Sequence, residues 1–578
     1  MIPNAALCLF VVLVFAKLLV VGIASPWLFL QDAVVSFVFG VAELALRGRR
    51  KWMWVPYGLA VAWIAINVPV ALVLRSWLTW PMLRASGGPL ADSIRYYLTP
   101  GNIFPLALVL LTAVALPVVA RRRRVVATVV GLLLILLAGA VTKARPTLGF
   151  DRNALTTLVA IPGNKIGSYF EITPDPISAR TSATAGNRDR ELFRNNSRSL
   201  FSRGAARGMN VVVVILESTA AQYLGLYGAA EDPMPNLTKL AANSVVFDAA
   251  YAAYPESVKG LYATLCGRMP IAGAPIEKSL ERPCLPLPKL LGLAGYRTGL
   301  FHAGRFGYLG MDALVAQSGF DVAEDAGAIG GVVHSSFGVD EASTVASTLK
   351  WIHSTDDPRP FFAMYLPAAG HHPYASNVPG PFKGETEFDR YRNSIHEADM
   401  ALAQLLDGLS HPEIVHPTLL VVLADHGEAF GQHDGNAGHT LEIWEENVRV
   451  PLMMSIIGVS RGQQRIAAPA SVLDIAPTIL DLTGIDDPGG GEGGSLLDTT
   501  SRFAPFFADY SREIVGLRDG CWKIRYDRSR EGAQLFNLCE DPGETSDLAG
   551  RVEAVHDELV KRVEQFFAIR VRPRRVPT

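Results

Sequence analysis

At 578 residues the chain is longer than one hydrophobic core encloses, so it holds two or more units. A formal charge of -2 and a pI near 6.7 leave no electrostatic footprint for a nucleic-acid partner, and that class of function is excluded. Apolar residues make up 49% and the mean hydropathy is +0.23, but most of the excess lies before Arg145.

In chain order, five apolar stretches come first: Ala5–Ala24, Pro26–Leu46, Met53–Leu74, Ile103–Ala120 and Val125–Val141. Each is long enough, as helix, to cross a hydrocarbon core of ~30 Å. The second carries Asp32 and Glu43, which are costly at mid-membrane. The length of the first, and the spans behind it, set it apart from a cleaved signal peptide. Basic residues gather in two loops, Arg47, Arg49, Arg50 and Lys51 between spans two and three, and Arg121 to Arg124 between spans four and five. Two crossings separate these loops, so both face the cytoplasm by the rule that Lys and Arg accumulate inside. Residues 1–145 are thus expected to form a five-helix transmembrane domain of the plasma (inner) membrane. The N-terminus is inside, and everything after the fifth span is periplasmic or extracellular.

Residues 146–208 include TPDPISARTSATAGNRDRELFRNNSRS, whose Pro, Ser, Asn and Arg content reads as a juxtamembrane linker. After it, NVVVVIL at Asn210–Leu216 is an apolar run without alternation, as expected of a strand buried on both faces of a parallel sheet. Phe361–Leu366, Thr418–Ala424 and Val450–Ile456 read the same way, and Arg390–Leu409 carries apolar residues at helical spacing. Strands alternating with helices predict a doubly wound α/β core over 209–487. PGGGEGG at Pro488–Gly494 reads as a flexible connection into a small C-terminal subdomain, 488–578.

Cys266, Cys284, Cys521 and Cys539 all fall in the exported part. An even number in an oxidising compartment permits disulfides, and the local pairing of Cys266 with Cys284 and Cys521 with Cys539 is the simplest of three connectivities. Four buried thiols are the alternative.

In open sheets ligands gather at the carboxyl ends of strands. Asn210–Leu216 runs into Glu217, and Thr418–Ala424 runs into Asp425, His426, Gly427 and Glu428. Carboxylates and an imidazole at one sheet edge suit a divalent metal, although either end alone also fits a helix cap or a surface loop. In YPESVKGLYATLCGRMP, Ser257 opens a helical pattern. Its hydroxyl lies among the unpaired N–H groups of a helix start, where it reads either as a nucleophile facing an anion or as a plain N-cap.

The ordered blocks NVVVVILESTAAQYLGLYG, PNLTKLAANSVVFDAAYAAYP, SVKGLYATLCGR, ADHGEAFGQHD, EENVRVPL, SVLDIAPTILDLTGI and KIRYDRSREGAQLFNLCEDPGETSDLA resemble the sulfatase family of the alkaline-phosphatase superfamily. The resemblance runs from about Asn210 to Ala549. Five spans ahead of such a domain are similar to lipoteichoic acid synthases and phosphoethanolamine transferases. The resemblance implies that Glu217, Asp425 and His426 bind a metal with Ser257, which is also the catalytic nucleophile. It further implies substrate-binding roles for Lys259, His302, His371 and His439, and weaker ones for His433, His372 and Arg305.

Two departures from true sulfatases matter. Those enzymes convert Cys or Ser in a C/S-x-P-x-R motif to formylglycine, whereas this chain reads Ser257-Val258-Lys259-Gly260-Leu261; and Ser218, not a second acid, follows Glu217. The set of Glu, hydroxyl, Asp and His resembles the transferase branch, while the LFNLCEDPGETSDLA ending is sulfatase-like. The expectation is a metal-dependent enzyme that moves phosphoglycerol or phosphoethanolamine from a membrane lipid to an envelope glycan or other acceptor. A sulfuric or phosphoric ester hydrolase and a catalytically inactive envelope protein are the alternatives. Mixed O and N donors favour Zn or Mn, with Mg or Ca possible.

Overall fold

The computed structural model describes residues 5–21, 26–46, 50–74, 76–79, 82–83, 91–120, 153–155 and 202–567, the last stretch without residues 283, 334, 336, 355–356, 461, 499–502 and 529–531. The chain forms two units, one from the N-terminal segments and a larger α/β unit.

In the N-terminal unit, helix α1 (Ala5–Val21) packs against α2 (Leu30–Ala45), α3 (Trp54–Leu74) and α4 (Pro100–Ala120), burying Leu9, Val12, Ile64, Val68 and Val109 completely. Two of its helices, Lys51–Val73 and Pro100–Val118, are long and apolar enough to cross a membrane. Leu59, Phe104, Leu111, Val114 and Val118 on them are exposed. The first span is a shorter apolar helix of 17 residues. The two acids of the second span face inward: Asp32 lies 2.5 Å from Lys17, and Glu43 accepts the Ala6 N–H at 3.2 Å. That placement is how helices of a bundle accommodate charge. The expected fifth span, Val125–Val141, and most of the linker lie outside the described residues.

The α/β unit is organised around β1 (Asn210–Leu216), buried at all seven positions, as its unbroken, mostly β-branched apolar run requires. The other strands of this sheet are β2 (Val245–Tyr251), β3 (Arg297–His302), β4 (Val322–Glu324), β5 (Phe361–Leu366), β6 (Thr418–Ala424), β7 (Leu452–Ile456) and β8 (Gln464–Ser471), in the order β8-β2-β7-β6-β1-β5-β3-β4; Arg449–Val450 adds a short ninth strand on β2. From β6 through β4 all neighbours are parallel, with Leu216 opposite Ala424. β7 instead runs antiparallel to both β6 and β2, so the sheet is mixed and not uniformly doubly wound as expected. A strand buried on both faces reads alike in either direction. Here the chain returns from β6 with only the four-residue helix Glu445–Val448 on the way, and a parallel return needs a crossover helix.

Helix α5 (Ser257–Cys266) follows β2, α6 (Glu341–Ile352) precedes β5, and α7 (Glu387–Leu409) follows β5. Helix α7 starts three residues before the expected Arg390 because the Thr386 hydroxyl caps it, accepting the Asp389 N–H at 3.1 Å.

A four-stranded antiparallel meander completes the unit: β9 (Ala504–Ala508), β10 (Ile514–Asp519), β11 (Trp522–Asp527) and β12 (Gly532–Asn537). PGGGEGG, read as flexible, is packed: Glu492 is buried and accepts the Met269 N–H at 2.8 Å, and a Cβ on Gly493 would lie 1.8 Å from the Leu473 carbonyl oxygen. The glycines permit close backbone approach, a use that composition does not separate from flexibility. The disulfides are Cys266–Cys284 and Cys521–Cys539, the local pairing.

The meander is tied to the large sheet by a buried lysine. Lys523 Nζ lies 3.0 Å from Glu445 Oε1 and 2.9 Å from Glu544 Oε1 with no solvent exposure. Lys523→Met leaves two buried carboxylates uncompensated and is expected to cost about 3–5 kcal/mol in chemical denaturation. An unchanged midpoint would show that the charges are not held as drawn.

Candidate active site

Adjacent parallel strands β1 and β6 end side by side, which places Glu217 next to Asp425 and His426. The Asp425 N–H donates to the Leu216 carbonyl at 3.2 Å, extending the ladder one step past the strand. Asp425 Oδ1 then accepts the N–H groups of Ser218 at 3.0 Å and His426 at 2.7 Å, fixing both turns. Ser218 adopts a left-handed conformation with φ of 50°, a strained choice for a non-glycine residue that these bonds hold in place.

Ser257 is the first residue of α5, and Glu256 occupies the N-cap position with no side-chain cap. The Ser257 hydroxyl therefore does not act as a cap; it donates to the Glu217 carboxylate, at 3.0 and 3.2 Å, and lies 3.3 Å from His426 Nε2. His426 Nδ1 lies 3.0 Å from the Gly427 carbonyl, which assigns the ring proton to Nδ1 and leaves the Nε2 lone pair facing inward. Nε2 is 3.4 Å from Asp425 Oδ2 and 3.9 Å from Glu217 Oε1.

One ligand atom each from Glu217, Asp425 and His426 falls within 4.8 Å of the others, and all three residues are buried. Burial, then the neighbouring Asp425 charge, pushes the Glu217 carboxyl well above the usual range, and burial lowers the His426 imidazole. Neither carboxylate has a Lys or Arg partner among the described residues. Two buried carboxylates and a bare imidazole lone pair converging with no Lys or Arg between them fit a divalent metal by donor chemistry.

Around this cluster, His439 stacks on His426 with ring centroids 4.2 Å apart, and its Nδ1 is 3.0 Å from Glu428 Oε2. Burial opposes its charge, but Glu428 outweighs that and raises the imidazole to about 9. Burial and the positive His439 lower His371 to about 3, and burial lowers His302. His302 Nδ1 is 3.1 Å from the Leu366 carbonyl, while His371 lies flat against Phe337 with centroids 3.8 Å apart. The Lys259 ammonium is turned to Asp509 Oδ1, at 3.9 Å, and sits 4.0 Å from the centre of the Tyr254 ring. His433 is held by Glu446 at 2.8 Å and stacks on Trp444, burial lowers His372 to about 4, and Arg305 is exposed.

Comparison with known proteins bears on this arrangement. Residues 209–485 match the Sulfatase family model. That match covers just under half of the chain. Arylsulfatase K from Xenopus laevis is 26% identical over 254 residues, covering 39% of this chain and 47% of that protein. Choline-sulfatase from Rhizobium meliloti is 31% identical over 170 residues, covering 28% and 32%. The chain thus spans at most about half the length of these relatives. Among solved structures, the lipoteichoic acid synthase LtaP from Listeria monocytogenes superposes with a TM-score of 0.52 at 18% identity, covering 66% of this chain and 100% of LtaP. An alkaline phosphatase superfamily protein from Vibrio parahaemolyticus gives 0.51 at 19% identity, covering 67% and 96%. At such identities the likeness is one of fold.

Three residues of the α/β unit escape a reading of the sequence. Glu428 appears at a strand end as one more metal-side acid, but it faces His439. Phe337 sits in a loop without periodicity, and only its ring contacts with His371 and His302 mark it. Glu341, the first residue of α6, accepts the Tyr365 hydroxyl at 2.5 Å and the N–H groups of Ala368 and Ala369 at 2.8 Å each, so it holds the loop that carries His371. In the same loop, a Cβ on Gly370, whose φ is 109°, would lie 2.3 Å from the Glu217 carbonyl oxygen.

Burial raises the Glu341 carboxyl from 4.5 to about 7, against the pull of its three hydrogen bonds. A carboxyl raised on folding favours the protonated native state, so its contribution is complete below pH 4.5 and is lost as pH rises through about 7. Glu341→Gln is therefore expected to gain about 2–3 kcal/mol relative to the unsubstituted chain between pH 5 and pH 8, on 1.36 kcal/mol per pKa unit. Denaturation midpoints at the two pH values check this, and a constant difference would refute it.

Proposed function

We propose that this chain is a membrane-anchored, metal-dependent transferase that uses Ser257 to move a phosphorus-containing head group, phosphoglycerol or phosphoethanolamine, from a lipid to an envelope acceptor. The observation that carries the reading is the Ser257 hydroxyl lying 3.0 Å from Glu217 and 3.3 Å from His426, at the first turn of a helix, without the Pro and Arg that accompany formylglycine formation. A neutral serine is a weak nucleophile at pH 7 and needs such an activator. The two long apolar helices with exposed apolar side chains support membrane anchoring, with the sulfatase domain outside the cytoplasm as the basic loops indicate.

Zn or Mn, held by Glu217, Ser257, Asp425 and His426, would lower the pKa of the hydroxyl and neutralise the ester oxygens. Ser257 Oγ attacks the phosphorus in line, the bond to the lipid oxygen breaks, the proton given up by the hydroxyl is balanced by one taken up on the departing oxygen, and a seryl ester forms with release of diacylglycerol. The acceptor hydroxyl then attacks that ester and regenerates Ser257. His439, paired with Glu428, supplies positive charge to the transferring group. The neutral imidazoles of His302 and His371 are proposed to bind the head group, whereas Lys259, which the resemblance placed there, is engaged by Asp509.

The second reading, a hydrolase of sulfate or phosphate esters, is favoured by the sulfatase-like ending and by the similarity to an arylsulfatase and a choline-sulfatase. Incubating the full-length protein with a phospholipid labelled in its head group separates the two. Label on an acceptor with release of diacylglycerol is the expected result; turnover of soluble esters alone would hand the assignment to the hydrolase.

A further inference from the structure

The helix that carries Ser257 is gripped by residues from the far end of the chain. Strand β9 runs beside the segment preceding α5, with the Phe507 N–H donating to the Ala253 carbonyl at 3.1 Å. Directly after β9, Asp509 and Tyr510 reach three residues flanking Ser257. The Tyr254 hydroxyl donates to Asp509 Oδ1 at 2.6 Å, Lys259 Nζ lies 3.9 Å from the same oxygen, and the Tyr510 hydroxyl donates to Glu256 Oε2. Asp509 Oδ2 also accepts the Gly273 N–H. Rings close the arrangement: Tyr254 meets Phe507 edge-on at 4.8 Å, and Lys259 stacks on Tyr254.

All five side chains, Tyr254, Glu256, Lys259, Asp509 and Tyr510, are buried. Polar groups out of water are kept only where they are bonded, so the cluster has one low-energy arrangement. Its points of attachment are three residues before Ser257, one before it and two after it. Glu256 holds the N-cap position, yet its carboxylate turns away from the helix toward Tyr510, so this end of α5 is fixed by the C-terminal subdomain and not by its own cap.

We infer that Asp509 and Tyr510 are positioning residues: they clamp the turn at Tyr254–Lys259 and so hold the Ser257 hydroxyl in register with Glu217 and His426. The inference rests on the reading of Ser257 as nucleophile. A displacement of about 1 Å at a reacting atom costs on the order of 100-fold in rate, so loosening the clamp strikes turnover before it strikes binding.

The test uses the full-length protein in detergent with p-nitrophenyl phosphate and the labelled phospholipid as substrates. Tyr510→Phe, which removes one oxygen, and Asp509→Ala are expected to lower kcat roughly 10- to 100-fold with KM and bound-metal stoichiometry unchanged. Lys523→Met is the control: it weakens the same subdomain, and its kcat per folded molecule is expected to be unaltered. Wild-type kcat in Tyr510→Phe would overturn the inference, as would an equal loss in Lys523→Met, which would mean that general destabilisation explains the effect. Should Asp509→Ala fail to fold, Tyr510→Phe still decides. Ser257→Ala, assayed beside them, separates the two levels: turnover surviving in it sinks the nucleophile assignment, whereas a dead Ser257→Ala with a normal Tyr510→Phe sinks only the clamp.

Discussion

Ser257→Ala is expected to lower turnover by about 10,000-fold or more, on the scale at which enzymes with a covalent serine lose activity. The loss follows from geometry. Whereas the Ser218 hydroxyl donates to Glu217 at 2.8 Å but has no hydrogen bond to His426 among the described residues, the Ser257 hydroxyl donates to Glu217 and lies 3.3 Å from His426. Folding should be nearly unaffected, because the hydroxyl caps nothing and α5 is anchored through Glu256, Lys259 and its apolar face. Bound metal should weaken but persist, since Glu217, Asp425 and His426 remain. The decisive measurement is the intact mass of the unsubstituted protein after brief exposure to substrate. A mass increment on Ser257 identifies the transferred group, and its absence when the acceptor hydroxyl is withheld, so that the second step is slowed, would count against a seryl intermediate.

Asp425→Asn should have the second largest effect, acting through the metal. Asn keeps a carbonyl oxygen to accept the Ser218 and His426 N–H groups, so the local fold is preserved. It replaces the Oδ2 that lies 3.4 Å from His426 Nε2 with a neutral amide, which removes one negative charge from the donor set. Affinity for Zn or Mn should fall by more than about 100-fold, beyond what loss of an outer-shell contact costs, with turnover falling in parallel and partly restored by excess ion. Elemental analysis of the purified variant provides the readout. A stoichiometric divalent ion retained in Asp425→Asn would remove Asp425 from the ligand set.

The strands that carry the site are legible in the sequence because burial on both faces demands unbroken apolar runs. Asn210–Leu216 and Thr418–Ala424 meet that demand, and each stops at the residue that faces the cluster. Strand direction leaves no such trace, and β7 has the composition of its parallel neighbours while running against them. The two long apolar helices are legible for a similar reason, as length and apolarity are properties of a segment by itself. How the charges of the N-terminal unit are satisfied is not, since the pairing of Lys17 with Asp32 depends on two helices meeting.

The candidate ligands show the same division. Residue type and position at strand ends single out Glu217, Asp425 and His426, and the start of a helical pattern singles out Ser257. Which residues attend them is a matter of long-range approach. Lys259, placed by sequence near the substrate, is engaged by Asp509, which lies 250 residues further along the chain and was invisible as its partner. Residue order alone marks which segments are apolar enough to be buried and where acids, imidazole and hydroxyl stand, because hydrophobic patterning is local. Folding alone brings Glu428 to His439, Glu341 to the Ala368 and Ala369 N–H groups, and Asp509 and Tyr510 to Tyr254 and Glu256 beside Ser257. Hydrogen bonds and ion pairs between distant residues depend on distances that the chain acquires on folding.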